Sequence, residues 1–226
     1  MISIQKFVFN PFSENTYVVF NEEKKAVIID PGMYYEEEEK AIDKFIISNG
    51  LKLEAIWHTH SHLDHMFGTG YVSRKYNLDP MIFEKDLDTY QNFERVCAMY
   101  GVPIRNMPPE KVQFMDIKNG LILGETKFSV FFVPGHAPGH VVFHHSQSNV
   151  LINGDCLFRE SIGRTDLPGG NHTQLISSIK NKLFTLPDNT TVFSGHGPET
   201  TIGHEKANNP FINYLSIRNI CSFSGN

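Results

Sequence analysis

Four residues of types that bind metal ions lie within six positions of this 226-residue chain: His60, His62, Asp64 and His65. At the composition of the chain, this pattern arises by chance in about one in a thousand sequences of the same length. A short apolar strand, Ala55–Trp57, precedes the cluster, and because alternate side chains of an extended segment share one face, His60 and His62 can bind one cation together. A turn into a helix then directs Asp64 and His65 towards a second cation. The fold must bring the remaining ligands of both cations to this segment.

Three later residues occupy positions typical of those remaining ligands. His136, Asp155 and His196 each follow a predicted strand and lie among small residues, mostly glycines. Glycine allows the backbone to turn sharply and to come close to a metal ion. Imidazole and carboxylate groups bind zinc, iron and manganese. Seven donors suit two cations that share one carboxylate, so the sequence predicts a site for two divalent metal ions, with zinc expected and iron or manganese as alternatives.

The rest of the chain alternates short strands with amphipathic helices. Helices are predicted between Glu36 and Gly50, near Asp86–Tyr100, and from an Asn171 cap through Leu183. The apolar pattern predicts strands at Ile2–Phe9, Asn15–Phe20, Ala26–Ile29, Ala55–Trp57, Leu121–Leu123, Lys127–Val133, Val141–His145, Val150–Asn153 and Thr191–Ser194. This order predicts an α/β fold with two packed sheets and helices outside them. The candidate ligands follow strands, which is where α/β folds bind their ligands.

Composition limits the classes of function. The net charge of −5 argues against a nucleic-acid partner, because such proteins usually carry a basic surface. No apolar run approaches the length of about 18 residues needed to span a bilayer, and the first residues lack a signal-peptide pattern. Cys97, Cys156 and Cys221 are an odd number at wide spacing, which favours reduced thiols. We therefore expect a cytoplasmic protein that acts on a small molecule, with neither nucleic acid nor membrane as a partner.

The ordered motifs resemble those of the metallo-β-lactamase superfamily, and specifically its hydroxyacylglutathione hydrolase (glyoxalase II)-like members. The resemblance implies a four-layer αββα sandwich with the site at the edge between the two sheets. It also implies two metal positions bridged by Asp155, one held by His60, His62 and His136 and the other by Asp64, His65 and His196. The matching segments run from Ile28-Ile29-Asp30-Pro31-Gly32 through Thr59–His65, Pro134–His140 and Gly154–Phe158 to Gly195-His196-Gly197-Pro198.

The activity implied by this resemblance is the hydrolysis of a small-molecule thioester. A hydroxide shared by the two metals is the expected nucleophile, and Asp64 is the expected catalytic residue that orients it while binding the second metal. Because a thiolate leaves readily, no dedicated strong acid is needed. About 30 residues follow His196. We therefore expect residues 1–226 to form a single domain, without the C-terminal helical domain that contributes to glutathione binding in the longer enzymes.

Two other functions fit the same residues. The Gly163-Arg164-Thr165-Asp166 segment also resembles persulfide dioxygenases, which keep a single iron on two histidines and an aspartate. The second alternative is a non-catalytic metal-binding scaffold. A closed structural zinc site typically takes four side-chain ligands, so seven donors for two cations favour a catalytic site with room for water. The sequence does not predict an oligomeric state.

Several residues near these motifs are predicted to be structural. Asp30 is expected in a turn, Cys156 as a buried thiol and His58 as a hydrogen-bonded loop residue. The Arg164–Asp166 pair can either steady the site or brace a loop. The aromatic and methionine residues of Glu84–Asp116 can either line a substrate groove or pack in the core. The histidines expected outside the site, on the surface, in strands or at caps, are His140, His144, His145, His172 and His204.

Overall fold

The computed structural model describes residues 1–213, so Cys221 lies outside the described part. The α-helices are α1 (Glu36–Ser48), α2 (Leu63–Met66), α3 (Thr69–Tyr76), α4 (Leu87–Gln91), α5 (Phe93–Tyr100), α6 (His172–Ser178) and α7 (Ile202–Asn208). Short 3-10 turns cover Glu84–Asp86 and Ser146–Ser148, and a π-helical segment, Ile179–Leu183, continues α6. Within residues 1–213, no helix combines the length and the hydropathy needed to cross a bilayer.

The strands form two six-stranded sheets and one separate hairpin. The first sheet has the order β1-β2-β3-β4-β5-β6, with an antiparallel meander followed by parallel strands. The second has the order β14-β13-β10-β9-β8-β7, and β11 pairs with β12. The strands are β1 (Ile2–Phe9), β2 (Glu14–Asn21), β3 (Lys25–Ile29), β4 (Lys52–Trp57), β5 (Pro80–Ile82), β6 (Gln113–Phe114), β7 (Leu121–Leu123), β8 (Thr126–Phe132), β9 (Val141–His145), β10 (Val150–Gly154), β11 (Leu157–Phe158), β12 (Ser161–Ile162), β13 (Thr191–Ser194) and β14 (Thr200–Thr201).

The two sheets pack face to face around an aromatic centre. Successive side chains of a strand point to opposite faces, so Tyr17 of β2 faces this centre while Val18 faces the other way. Trp57 of β4 contacts Phe128 and Phe143 of the second sheet, with ring centroids 5.3 and 5.4 Å apart. All three aromatic side chains are buried. This layer fixes the two sheets relative to each other directly behind the end of β4.

Helices cover the outer face of each sheet. Ile42 of α1 and Val72 of α3 pack with Val18 and Ile56 on the outer face of the first sheet. On the second sheet, the corresponding cluster joins residues of β9, β10 and β13 to the segment from α6 through Leu183. The order of layers is therefore helix, sheet, sheet, helix. The predicted four-layer αββα sandwich is confirmed.

The predicted helix near Asp86–Tyr100 is two helices that meet at Asn92. Asn92 has backbone angles of φ −85° and ψ 7°, and its side-chain amide donates a 2.7 Å hydrogen bond to the Asp88 carbonyl. Asparagine competes for backbone groups in this way, which favours a helix end at this position. The break sets the start of α5, which forms one wall of the cavity described below.

Elsewhere the predicted elements differ from the observed ones mainly in short strands. The sequence does not mark β5, β6, β11, β12 and β14, which have only two or three residues each. The start of α6 agrees with the prediction: Asn171 Oδ1 accepts a 2.9 Å hydrogen bond from the Gln174 amide. A side-chain acceptor at this position satisfies one amide of the first helical turn.

Candidate metal centre

The seven predicted ligands come together at one edge of the two sheets. β8, β10 and β13 run in the same direction, because β9 is antiparallel to β8 and β10 while β13 is parallel to β10. The loop after β4 meets them there, since the Val141 amide donates to the Thr59 carbonyl at 2.8 Å. The loop after β4 carries His60 and His62, α2 carries Asp64 and His65, and the loops after β8, β10 and β13 carry His136, Asp155 and His196.

Three imidazoles form the first group. His60, His62 and His136 place one ring nitrogen each within 4.8 Å of the others. The Nε2 atoms of His60 and His136 are 3.2 Å apart. The ring centroid of His62 lies 4.6 Å from that of His60 and 4.5 Å from that of His136. Three neutral nitrogens that converge in this way form a ligand set that suits zinc and other transition metals.

The second group combines a carboxylate with two imidazoles. Asp64, His65 and His196 also offer ligand atoms within 4.8 Å of one another. Asp64 Oδ2 lies 3.2 Å from His196 Nε2 and 3.8 Å from His65 Nε2. Asp64 and His65 lie in α2, which begins at Leu63, and the His65 ring also contacts His60 of the first group, with ring centroids 4.2 Å apart.

Asp155 lies between the two groups. Its Oδ1 atom is 3.5 Å from His65 Nε2, and its Oδ2 atom is 3.6 Å from His136 Nε2 and 3.5 Å from His196 Nε2. In a tetrahedral zinc site with bonds of about 2.0–2.1 Å, ligand atoms are about 3.3 Å apart. The observed separations fit this spacing, and one carboxylate reaches both groups.

Asp30 orients two of these imidazoles, His65 directly and His60 through Thr59. Asp30 Oδ1 accepts a 2.7 Å hydrogen bond from the Thr59 amide, and Oδ2 accepts from Thr59 Oγ1 at 2.6 Å and from His65 Nδ1 at 3.1 Å. Because Thr59 Oγ1 donates to Asp30, it accepts from His60 Nδ1 at 3.0 Å. Both imidazoles therefore use Nδ1 for this hydrogen bond and direct Nε2, the nitrogen available to a metal ion, into the site.

Backbone carbonyls hold two further imidazoles in the same way. His136 Nδ1 donates to the Arg164 carbonyl at 2.8 Å, and His196 Nδ1 donates to the Ser13 carbonyl at 3.2 Å. The Arg164 side chain does not take part. It forms an exposed ion pair with Asp166 through two 2.8 Å hydrogen bonds, so that pair braces the loop, and the Arg164 backbone is what orients a candidate ligand.

Two buried atoms of the seven candidate ligands have no hydrogen-bond partner within residues 1–213. They are His65 Nε2 and Asp155 Oδ1, which face each other. An unpartnered polar atom in the interior costs free energy, and buried polar groups in proteins are nearly always paired. A cation between these groups removes that cost, so the residues present fit a bound metal ion.

The charges of the site respond to burial and to one another. Burial lowers the pKa of His62 to about 3, which keeps this imidazole neutral. Burial acts in the same direction on His65, yet the neighbouring Asp155 and Asp64 carboxylates raise its pKa above the ordinary value. Burial would raise the pKa of Asp155, but the positive charge of His65 lowers it. Without a metal ion, a proton on His65 therefore supplies the positive charge that the carboxylates require.

Sequence reasoning missed two residues that support the site. Asp30 does lie in a turn, with φ of 49°, but its buried carboxylate also orients His65 and Thr59. The signal for this role was the position of Asp30 directly after β3, the strand next to β4. His140, expected outside the site, is buried and stacks on His60 with ring centroids 4.9 Å apart. Its Nε2 atom accepts a 3.0 Å hydrogen bond from the Asp155 amide.

The other structural expectations hold. Cys156 is fully buried, and burial raises the pKa of its thiol, so it is an uncharged core residue despite its position beside Asp155. His58 is buried, with Nε2 3.2 Å from Thr69 Oγ1. His144 and His145 lie in β9.

A cavity of about 950 Å³ opens onto the site. Its floor includes His62, Asp64, His136, Asp155 and His196, so the candidate ligands are accessible to a small molecule. Its walls are mostly apolar, and the side chains that form them come from α5, the β11–β12 hairpin and the loop that follows: Phe93, Val96, Met99, Tyr100, Phe158, Ile162, Leu167 and Pro168.

The segment Glu84–Asp116 serves both of the purposes considered for it. Phe93, Met99 and Tyr100 line the cavity. Tyr90 packs in the core instead, and its hydroxyl donates a 2.8 Å hydrogen bond to the Pro109 carbonyl. The same two helices therefore contribute side chains to both the groove and the core, and Phe93 belongs to both.

This fold and this site define a metal-dependent hydrolase of the metallo-β-lactamase superfamily, and the chain belongs to that superfamily. The family model of the metallo-beta-lactamase superfamily matches residues 9–196. That range contains all seven candidate ligands, and the fold is one that binds divalent metal ions.

Three individual proteins are similar to this chain along nearly its whole length. Hydroxyacylglutathione hydrolase GloC of Haemophilus influenzae is 35% identical over 217 residues, which cover 95% of this chain and all of the relative. The crystal structure of the BLEG-1 B3 metallo-beta-lactamase matches with a TM-score of 0.83 and 36% identity, covering 93% of this chain and 99% of that one. The structure of TTHA1623 in a di-iron-bound form matches with a TM-score of 0.81 and 35% identity, covering 92% of this chain and 99% of that one.

We expect the Asp30→Asn variant to bind metal about 10–100-fold more weakly than the wild type, which is the usual loss when a residue that orients a ligand is changed. The amide has one acceptor oxygen instead of two, so either the Thr59 amide or the pair of Thr59 Oγ1 and His65 Nδ1 loses its acceptor. His65 is then free to move its proton to Nε2, where it blocks ligation. Competition with a chelator measures the affinity. The matched control is Asp43→Asn, which removes a carboxylate that accepts hydrogen bonds from Tyr71 and Tyr76. Equal losses in both variants would contradict the proposed role of Asp30.

Proposed function

We propose that this chain hydrolyses small-molecule thioesters with the help of two divalent cations. His60, His62 and His136 would hold one cation, Asp64, His65 and His196 the other, and Asp155 would bridge them. The observation that carries the proposal is the orientation of four imidazoles. Hydrogen bonds from Nδ1 fix His60, His65, His136 and His196 with Nε2 directed into the site, on either side of Asp155.

Divalent cations bound here would polarise the carbonyl group of a substrate and lower the pKa of a water molecule towards neutrality. The protein's own residues provide the arrangement. Asp64 and Asp155 line the cavity, and their carboxylates can accept a hydrogen bond from an attacking water and so orient it. The leaving group of a thioester is a thiolate, which departs without a strong general acid.

A relative that matches along nearly the whole chain supports the thioester substrate. GloC is a hydroxyacylglutathione hydrolase by name, and the two chains match along nearly their whole lengths. Hydrolysis of a β-lactam is a second candidate function, because the BLEG-1 B3 metallo-beta-lactamase is 36% identical and equally well covered. Both reactions add water to a carbonyl group, so the same centre can serve either.

The arrangement of the second group argues against the two non-hydrolytic alternatives. A single iron on two histidines and an aspartate would use only part of the seven residues, whereas Asp64, His65 and His196 also converge. A structural scaffold would be closed to solvent, whereas the cavity exposes Asp64 and Asp155. Both features support a hydrolase with two cations.

Metal analysis of the purified protein, paired with hydrolysis of S-lactoylglutathione, tests the proposal. Two metal ions per chain together with turnover of the thioester are the expected result. A chromogenic cephalosporin in a parallel assay tests the second candidate. One iron per chain, oxygen uptake with glutathione persulfide and no thioester hydrolysis would overturn the proposal in favour of the dioxygenase.

The apolar wall of the cavity predicts that activity depends on the length of the acyl chain of the substrate. We expect Met99→Ser to lower kcat/KM for a hexanoyl thioester about 5–10-fold more than for the acetyl thioester of the same thiol, because each buried methylene contributes about 0.8 kcal/mol. Met107→Ser is the matched control, since Met107 is exposed and lies outside the cavity lining. Equal effects of Met99→Ser on both substrates would show that the acyl chain does not reach this wall.

A further inference from the structure

The side chain of Asn15 connects the first sheet to the loop that carries His196. Asn15 is 1% exposed and lies in β2 two residues before Tyr17, so it is on the face that packs against the second sheet. Its Nδ2 atom donates hydrogen bonds of 2.8 Å to the Ser194 carbonyl, at the end of β13, and of 2.9 Å to the Gly197 carbonyl. One amide group therefore spans the turn that contains His196.

The backbone at the start of β2 contacts the same turn. The Asn15 amide donates to the Gly195 carbonyl at 2.7 Å, and Glu14 forms an isolated antiparallel bridge with His196. Within residues 1–213, the Asn15 side chain is the one donor to the Gly197 carbonyl. The backbone contacts therefore reach the turn before and at His196, and the Asn15 side chain is what holds it on the far side.

The orientation of the Asn15 amide follows from its neighbours. Ser194 and Gly197 both present carbonyl oxygens, which only accept hydrogen bonds, so the amide must face them with its nitrogen. Asn15 Oδ1 is buried and has no hydrogen-bond partner within residues 1–213. A buried polar atom without a partner costs free energy that an apolar side chain would avoid. The two hydrogen bonds that Asn15 donates, rather than packing, therefore explain an asparagine at this position.

His196 depends on such hydrogen bonds more than the other two residues of the second group. Its side chain is 28% exposed, whereas that of Asp64 is 13% exposed and that of His65 is fully buried. Gly197, the next residue, is exposed and has φ of 73°. The chain thus turns out towards solvent directly after His196, and packing contributes less to the position of this imidazole.

We propose that Asn15 is a positioning residue that fixes the turn through His196 and so supports the second metal position. Hydrogen bonds to the carbonyls before and after His196 restrict the backbone between them, and the direction of the imidazole follows from that backbone. His196 Nε2 then stays close to Asp64 Oδ2, 3.2 Å away. The first group lies on the loops after β4 and β8, which Asn15 does not contact. The inference rests on the proposed function only in taking these residues as metal ligands.

Stepwise zinc titration of the metal-free protein, in competition with a chelator, tests this inference without any substrate. We expect Asn15→Ala to weaken binding of the second ion about 10–100-fold, the usual loss when a group that supports a metal ligand is changed. Binding of the first ion should stay at its wild-type value. The His196→Ala variant identifies which step of the titration belongs to the second group.

A double variant separates positioning from a general loss of stability. Because Asn15 acts through His196, adding Asn15→Ala to His196→Ala should not weaken zinc binding further. The matched control is Asn21→Ala. Asn21 is buried on the same face at the other end of β2, and its Nδ2 atom donates a 3.1 Å hydrogen bond to the Leu123 carbonyl of the second sheet. This control should lower the melting temperature and leave the affinity for both ions unchanged.

Equal weakening of both ions, wild-type affinity for the second ion, or a full additional loss in the double variant would overturn the inference. If Asn15→Ala does not fold, Asn15→Asp is used instead, because an ionised aspartate keeps the shape but only accepts hydrogen bonds. Selective loss of the second ion in that variant supports the inference, and unchanged affinities contradict it.

The proposed function can fail separately. A wild-type protein that binds two zinc ions but hydrolyses no thioester contradicts the proposed function and leaves the Asn15 comparison intact. Thioester turnover together with an unchanged second ion in Asn15→Ala contradicts only the inference. A wild-type protein that binds a single zinc ion would overturn both.

Discussion

The Asp155→Ala variant is expected to hold fewer than two metal ions per chain and to lose more than about 100-fold in kcat for a thioester. Changes to residues that only support metal ligands already cost about 10–100-fold, so loss of a shared ligand should cost more. Within residues 1–213, Asp155 is the one carboxylate that approaches His65, His136 and His196 together, at 3.5–3.6 Å. Two neighbouring cations also repel each other, and a negative group between them offsets that repulsion.

Metal stoichiometry and turnover, measured on the same samples, check this prediction. Asp188→Ala is the matched control, because Asp188 is exposed and pairs with Lys206 at 2.6 Å. It should keep both metal ions and full activity. Asp155→Asn separates charge from shape, since the amide fills the same space without the negative charge. Two metal ions retained in Asp155→Ala would rule out the bridging role.

The parts of the fold that the sequence predicts are those with strong local patterns. β1, β7, β9 and β13 have the predicted bounds, because apolar residues alternate or run continuously within them. β5 and β6 were missed, since strands of two or three residues at a sheet edge carry too little pattern to be recognised. The break at Asn92 was missed for a different reason. The apolar spacing continues across it, and only the side-chain hydrogen bond to Asp88 reveals the helix end.

The residues of the site also fall into two sets, those that the sequence predicts and those that it does not. The candidate ligands could be predicted because metal-binding chemistry needs histidine and aspartate in close spacing or beside glycine. The groups that orient them are not marked locally. Asp30 is 35 positions from His65, and the acceptor for His136 is a backbone carbonyl that any residue could supply. Only the folded chain brings such groups together.

Removal of the metal ions is expected to lower the melting temperature by about 8–16 °C. A metal present at about 1,000 times its dissociation constant adds about 4.1 kcal/mol to the free energy of unfolding. For a chain of this size, each kcal/mol corresponds to about 2–4 °C. The physical source is the buried site itself: without a cation, Asp155 Oδ1 and His65 Nε2 have no hydrogen-bond partner within residues 1–213. Thermal unfolding with and without a chelator, followed by readdition of zinc, measures the effect.

The metal-dependent part of this stability should increase from pH 6 to pH 8. Although burial opposes it, the neighbouring carboxylates raise the pKa of His65 and His196, so both imidazoles bind protons in the metal-free protein near neutral pH. A metal ion must displace those protons, and a higher pH therefore favours its binding. The Asp155→Ala variant is the control, because a weakened site should show a smaller shift on zinc addition. A melting temperature that does not respond to zinc at either pH would contradict the assignment of these residues as ligands.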